Sequence, residues 1–235
     1  MTVSDIMNEL EAKGSDTIKN ILLKHGVKEP FFGVKIEYLK IIEKKIKKDY
    51  ALALELYATG NADAMYLAGL IADDEKMTKE DLQTWVEMAE SNNINTYALP
   101  WVAAGSRYGF EMGLQWIDAK KEHIAVAGWA TLGGWATLKT DSELDIAVYK
   151  NLLTRVANEI HTAGNREKQA MNGFIIAVGT YIAELSEDAV ATANKIGILS
   201  VDMNGTACKV PLATDYIKKA SDRGTIGKKK KKLKC

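Results

Sequence analysis

The chain is poor in the residues on which small secreted and metal-bound proteins are built. Only two of its 235 residues are cysteine, Cys208 and Cys235. Two thiols cannot form a dense disulfide framework, and no CxxC or Cys/His spacing offers zinc a ligand set, so both are expected to be free. The three histidines, His25, His123 and His161, are far apart with no HExxH or HxH pattern; they read as surface or helix-end residues, and no metal is expected. No apolar run approaches the ~18 residues of a membrane span, and the opening MTVSDIMNELEAKG carries acids where a secretory leader carries positive charge. A cytoplasmic protein without a membrane partner is expected. The phosphate-binding patterns GxxxxGK and GxGxxG are absent, and Ser106 in AAGSRYG lacks the second glycine of a nucleophile elbow, so neither a nucleotide cofactor nor serine-hydrolase chemistry has support.

Alternating strand patterns are missing as well, and proline is limited to positions 30, 100 and 211. Helical periodicity fills the gap. VSDIMNELEAK, TIKNILLKHG and VKIEYLKIIEKKIKKD place apolar residues at three- and four-residue intervals. In the third, Ile36, Leu39, Ile42 and Ile46 form one stripe, with Lys40, Lys44, Lys47 and Lys48 mostly off it. NADAMYLAGLIADD and MTKEDLQTWVEMAES follow, the latter with Thr78 and Asp81 spaced for a helix start. Further helices read from YALPWVAAGSRYGFEMGLQWI, EHIAVAGWATLGGWATLK, SELDIAVYKNLLTRVANEIH, REKQAMNGFIIAVGTYIAEL, EDAVATANKIG and PLATDYIKKASDR. Pro30 and Pro211 sit where a helix could begin, and Pro100 would start, bend or break one. Segments from 62, 124 and 170 open with small residues at helical spacing (Ala64 and Ala68, Ala127 and Thr131, Asn172 and Ala177), as in repeat units of ~40–47 residues. The expected fold is all-α: one domain over 1–235, a right-handed superhelical stack of antiparallel helix pairs of HEAT-like or armadillo type.

GWATL occurs twice, at 128–132 and 134–138. A six-residue shift turns a helix by about 240°, so Trp129 and Trp135 must point apart. The glycines between them, Gly133 and Gly134, indicate a close backbone approach or a kink. Tryptophans 85, 101, 116, 129 and 135 read chiefly as core, but Tyr97 and Trp101 share a helix face, with Arg107 following, and could line a ligand surface.

Net charge is zero, yet the ends are basic. Residues 218–235 hold nine Lys/Arg against one acid, and residues 13–48 hold ten lysines against four acids, which leaves the middle, 49–217, at −11. This permits an anionic partner at the ends. The tail IGKKKKKLKC is either a solvated end or an electrostatic arm, and Cys235 is not expected to belong to a C-a-a-X lipidation box.

FFGVKIEYLKIIEKKIKKDYALALELYATGNADAMYLAGLIADD, EHIAVAGWATL, MNGFIIAVGTYIAEL and CKVPLATDYIKKASDRGTIGKKKKKLKC together resemble the bacterial DNA alkylation repair family, the AlkD-like glycosylases of HEAT-like repeats. The resemblance implies a concave cleft that binds DNA, in whose active members a Trp-x-x-x-Asp helix, an arginine and a further aromatic act on cationic alkylated bases. Here Tyr97 falls at the tryptophan position and Trp101 at the aspartate. No acid occurs between Glu90 and Glu111. The arginine position lies near Ala127, and the later aromatic near Thr180, beside Tyr181. The expected protein binds damaged or unusual DNA through Lys40, Lys44, Lys47, Lys48 and Lys228, Lys229, Lys230, Lys231 and Lys232, with Tyr97, Trp101 and Arg107 lining the cleft, and acts as a monomer. An active alkylpurine glycosylase with a rearranged site around Tyr97 and Trp101, and a protein-interaction scaffold favoured by the acidic middle, are the alternatives.

Overall fold

The structure is a computed structural model and describes residues 1–206 and 208–234. Cys235 lies outside the described residues; Cys208 is an exposed free thiol. Thirteen α-helices and no strand occur among the described residues: α1 (Val3–Ala12), α2 (Asp16–Lys24), α3 (Ile36–Ile46), α4 (Tyr50–Ala58), α5 (Ala62–Ile71), α6 (Lys79–Met88), α7 (Leu99–Gly105), α8 (Gly109–Trp116), α9 (Glu122–Leu138), α10 (Ile146–Glu159), α11 (Asn165–Tyr181), α12 (Ser186–Ile196) and α13 (Ala213–Asp222). Among these residues no helix is long and apolar enough to cross a membrane.

Local sequence sets the helix starts. Thr2 with Asp5 and Thr78 with Asp81 form reciprocal capping boxes at α1 and α6, each satisfying two amides that a helix start leaves unpaired. Asn61 Oδ1 accepts the N–H groups of Asp63 and Ala64 at α5. The buried Asp63 carboxylate then accepts from Phe32, Gly33 and Val34 N–H at 2.7, 3.0 and 3.3 Å, tying the α2–α3 connection to the head of α5.

Three expectations change. YALPWVAAGSRYGFEMGLQWI is not one helix: a π turn at Ile94–Ala98 leads into α7, with Pro100 in its first turn. The chain then leaves helical geometry at Ser106, whose Oγ donates to the Ala103 carbonyl at 2.8 Å, before α8 begins. Pro30 starts no helix; it lies in a connection, where its carbonyl accepts from Ala62 N–H. Ile36, assigned to the apolar stripe of α3, is 46% exposed at the first residue of that helix, while Leu39 and Ile42 are buried. Lys47 and Lys48 fall beyond its last turn.

Short connections make consecutive helices run antiparallel and pack in pairs. α5, α7, α9, α11 and α13 each touch the next as an inner row, while α6 with α8 and α10 with α12 touch in an outer row. The small residues singled out at 62, 124 and 170 belong to three of the inner helices. Members of one row run the same way, so the carboxyl ends of the inner helices gather on one rim.

The core divides at α9. Ile124 and Ala127 join the N-terminal cluster around Leu56, Leu67 and Trp85, whereas Val126, Trp129, Leu132 and Trp135 join the C-terminal cluster around Tyr149 and Phe174. A helix apolar on every side needs neighbours on every side. The two GWATL tryptophans do point apart: Trp129 meets Phe174 edge-on with centroids 5.2 Å apart, and Trp135 lies 4.6 Å from the Lys139 ammonium. Gly128 lets α8 approach the α9 backbone, since a Cβ there would lie 2.6 Å from the Ile117 nitrogen.

Glycines in helix interiors therefore predict opposite responses. Gly173→Ala in α11 meets nothing within 4 Å and should stabilise by about 0.5–1 kcal/mol through reduced backbone freedom. Gly128→Ala makes the same gain but overpacks against backbone, at a cost of about 1–3 kcal/mol. Thermal unfolding should show Tm rising by about 1–4 °C in the first and falling in the second; a rise in both would disprove the close approach.

Candidate nucleic-acid interface

The final turns of helices present carbonyls without intrahelical donors and a partial negative charge. The C-terminal segment lies across the rim where those of the inner row collect. Gly227 N–H donates to the Thr180 carbonyl of α11 at 2.8 Å, and Lys230 N–H to the Thr137 carbonyl of α9 at 2.9 Å. Lys229 Nζ reaches the Ala136 carbonyl at 3.0 Å, and Lys234 Nζ the carbonyl of Ala72, the residue that closes α5, at 2.8 Å. Each ammonium also holds an acid: Lys229 pairs with Asp141 at 2.8 Å and Lys234 with Asp74 at 2.5 Å. Leu233 inserts beside Gly134, where a Cβ would lie 2.8 Å from its Cδ1. Of the two expectations for the tail, a solvated end is overturned: residues 227–234 are a strap that caps three inner helices in succession. Burial raises the Asp74 carboxyl above its ordinary value against the pull of Lys234, and burial lowers the Lys234 ammonium against the pull of Asp74.

Between this strap and the end of α3 runs a channel of 860 Å³, lined by Lys44, Lys47, Lys48, Lys139 and Lys230, Lys231, Lys232 and Lys234 against the acids Glu43 and Asp74. The two basic ends of the sequence thus meet on one face. Their lysines are not equivalent. Lys229 and Lys234 are consumed by the rim, Lys230 lies 5.7 Å from the Tyr181 ring centroid, and Lys48 is paired with Asp73 at 2.9 Å. Lys44, Lys47, Lys231 and Lys232 are exposed, and no ion pair engages them among the described residues.

At the inner end of the channel stands Trp101, which also lines two neighbouring cavities. The π turn carries Tyr97, 47% exposed, onto the same face as Trp101, with ring centroids 6.0 Å apart and planes 45° to each other; Tyr66 meets Trp101 edge-on at 5.6 Å. A π turn inserts one residue into the helical ladder and re-aims what it carries. Arg166, in the first turn of α11, borders both cavities beside Tyr97.

The remaining candidates fall elsewhere. Lys40 is half-buried on α3 and lines none of these three cavities. Arg107 does not join the cleft: it sits in the α7–α8 connection with its guanidinium 4.8 Å from the Tyr108 ring centroid, because the break at Ser106 ends the helix face that would have aligned it with Trp101. Lys228 is exposed and outside the channel lining. Ala127 is fully buried in α9, and the Thr180 carbonyl accepts from the strap. Arg166 takes the place next to Tyr97 that Arg107 was expected to fill. The signal for it was the polar first turn NREK of a helix whose continuation is small and apolar, and it resolves only when α11 is known to be an inner helix.

Carboxylates near the aromatic pair are already engaged. Among the described residues, Asp63 is the only acid lining the cavity on the α5 side, and it accepts the three backbone N–H groups described above; none of them places an acid in the cavity between α9 and α11. Among the described residues, no group of three His, Cys, Asp or Glu side chains is placed to hold a metal ion.

The fold and site define a helical-repeat solenoid with a basic channel and an aromatic cleft on its inner face. Residues 6–204 match the family described as DNA alkylation repair enzyme, and the chain belongs to that family. It is 29% identical over 228 residues to an uncharacterised protein of Listeria innocua and to one of Listeria monocytogenes, covering in each case 95% of this chain and 99% of the relative. It is also similar to a solved structure, with a TM-score of 0.90 and 34% identity over 100% of both chains, described as a new family of proteins related to the HEAT-like repeat DNA glycosylases with affinity for branched DNA structures. The HEAT-like repeat fold expected from the sequence is the fold found.

Removing one partner of a largely buried ion pair costs on the order of 3 kcal/mol, because the other charge stays behind unpaired. Asp74→Ala should therefore release the end of the strap. Trypsin should cut the 228–234 lysines about 100-fold faster than in the wild type, with the helical circular dichroism unchanged. Equal cleavage rates would mean that the ion pair does not hold the strap.

Proposed function

We propose that the protein binds branched DNA, with phosphates held in the lysine channel and the branch point set against Tyr97 and Trp101. The observation that carries this reading is the convergence of the lysines at the end of α3 and the C-terminal strap beside the half-buried Trp101 and its exposed neighbour Tyr97. The affinity for branched DNA ascribed to the 34%-identical structure supports it. A basic channel neutralises phosphates and gains by counterion release, while exposed rings offer stacking faces to bases that a branch leaves unpaired.

Excision of alkylated bases is not part of the proposal. A glycosylase of this kind stabilises positive charge developing at the sugar with a carboxylate, and here an indole stands where that carboxylate is expected, with the acid lining the adjacent cavity, Asp63, spent on backbone amides. Incubation with methylated DNA should release no base above background. Release that disappears in Trp101→Ala would replace this reading with that of a rearranged glycosylase.

Binding to three- and four-way junctions should weaken steeply with salt and exceed binding to duplex of the same sequence. Lys231→Ala combined with Lys232→Ala should lower the slope of log K against log salt by about 2, one counterion equivalent for each phosphate left without its lysine. Tyr97→Ala should cost about 1–3 kcal/mol on junctions, the worth of a stacked base, and much less on duplex. If junctions and duplex all fail to bind at low salt, or bind with equal affinity, the proposal is wrong.

A further inference from the structure

The channel and the exposed ring of Tyr97 leave one feature unused: the adjoining cavity of 590 Å³ on the α5 side. Protein interiors are close-packed, and a void of this size falls in the range of about 300–1,000 Å³ typical of sites for small organic groups. Its apolar wall comes from Leu22, Val34, Ile36 and Leu39, and the rings of Tyr66 and Trp101 border it. Tyr97 stands at its opening as the exposed member of the aromatic set.

Its polar groups divide into spent and unspent. Asn92 is spent: its Nδ2 donates to the His25 carbonyl at 3.2 Å, and its Oδ1 accepts from Thr96 at 3.2 Å. Asn93 is not, because it lines the cavity and its Oδ1 is buried with no hydrogen-bond partner among the described residues. Gln169 accepts from Arg166 Nη1 at 3.3 Å through Oε1, and no hydrogen bond holds its Nε2 among the described residues. Two side-chain amides with free donor and acceptor capacity, aromatic faces and a guanidinium match a flat heterocycle with a hydrogen-bonding edge and a phosphate next to it.

The geometry points to this cavity as the site for an unstacked nucleobase, delivered past Tyr97 from the branch point of DNA bound along the channel. The inference rests on the DNA-binding reading above and deepens it. Trp101 borders both the cavity and the channel. Lysines that hold phosphate position DNA without reading its structure. A pocket that accepts a base supplies discrimination, because a branch point offers a base already unpaired whereas a duplex must first be opened.

The test uses three-way junctions with identical arms and, at the branch, either one unpaired adenosine, an abasic nucleotide in its place, or full pairing, each labelled for fluorescence anisotropy. The wild type should bind the base-bearing junction at least about 5-fold more tightly than the abasic one, the lower end of what a stacked base is worth. Leu22→Trp and Ile36→Trp narrow the cavity from wall positions outside the lysine and aromatic set. Each should abolish the preference for the base and leave affinity for the fully paired junction unchanged. Adenosine monophosphate at millimolar concentration should compete only weakly, since the channel contributes nothing to it. Equal binding of base-bearing and abasic junctions by wild type, with the fully paired junction still bound, overturns the base site and leaves the channel reading standing. A preference that survives both filling substitutions places the base elsewhere and overturns it too. Tight binding of adenosine monophosphate, abolished in Leu22→Trp and without base dependence in junctions, makes the cavity a soluble nucleotide site instead. If no junction binds at low salt, the DNA reading itself fails and takes the inference with it.

Discussion

The arrangement of this protein depends on one electrostatic constraint: helices stacked in a row and running the same way end on the same rim. Every such end adds unpaired carbonyls and a share of negative charge. A solenoid can leave that rim to water or answer it with cations, and here the chain's own C-terminal segment answers it. Amides of Gly227 and Lys230 and ammoniums of Lys229 and Lys234 reach carbonyls on α11, α9 and the end of α5 in turn. The strap thereby lies along the inner face, and its remaining lysines are carried opposite those at the end of α3. The cationic channel follows from capping.

Much of the fold was legible in the sequence because it is locally determined. Thr78 and Asp81 announce a helix start by their spacing alone, and small residues at 62, 124 and 170 mark helices that pack on both sides. The twin GWATL segments separate by rotation, as six residues must, and Gly134 proves to be a close approach to Leu233 and Ala104. Failures occur where the deciding interaction is distant in sequence. Lys234 docks on Ala72 across 162 residues, and nothing in a run of lysines distinguishes those that will cap a rim from those that will face solvent. Ser106 ends α7 through its own bond to Ala103, a local event, yet its apolar surroundings read as uninterrupted helix.

The candidate site was legible in part for the same reasons. Tyr97 and Trp101 are neighbours on any helix, and a π turn keeps them so. Arg107 was credited to them by nearness along the chain. Arg166 sits next to Tyr97 instead, because the first turn of α11 faces inward across the stack, a relation that exists only between repeats. Helical repeats make sites from equivalent positions of neighbouring units, so a residue on another inner helix can lie closer to the cleft than one two turns further along.

The residue at 101 is an indole and brings no charge to the inner face. A carboxylate at the centre of a cationic inner face would be attracted to the lysines around it as strongly as to any cation forming on a bound sugar. An indole makes no such demand on the lysines. Two of the acids near it are engaged, Asp63 by backbone amides and Asp74 by Lys234, while Glu43 also lines the channel. The cations left without an ion-pair partner among the described residues of the channel include the exposed Lys44, Lys47, Lys231 and Lys232. The rest of the lysine-rich ends, Lys229 and Lys234 foremost, acts indirectly by holding the strap in place. Charge on the chain as a whole sums to zero, so attraction to DNA depends on where the fold puts each lysine rather than on how many there are.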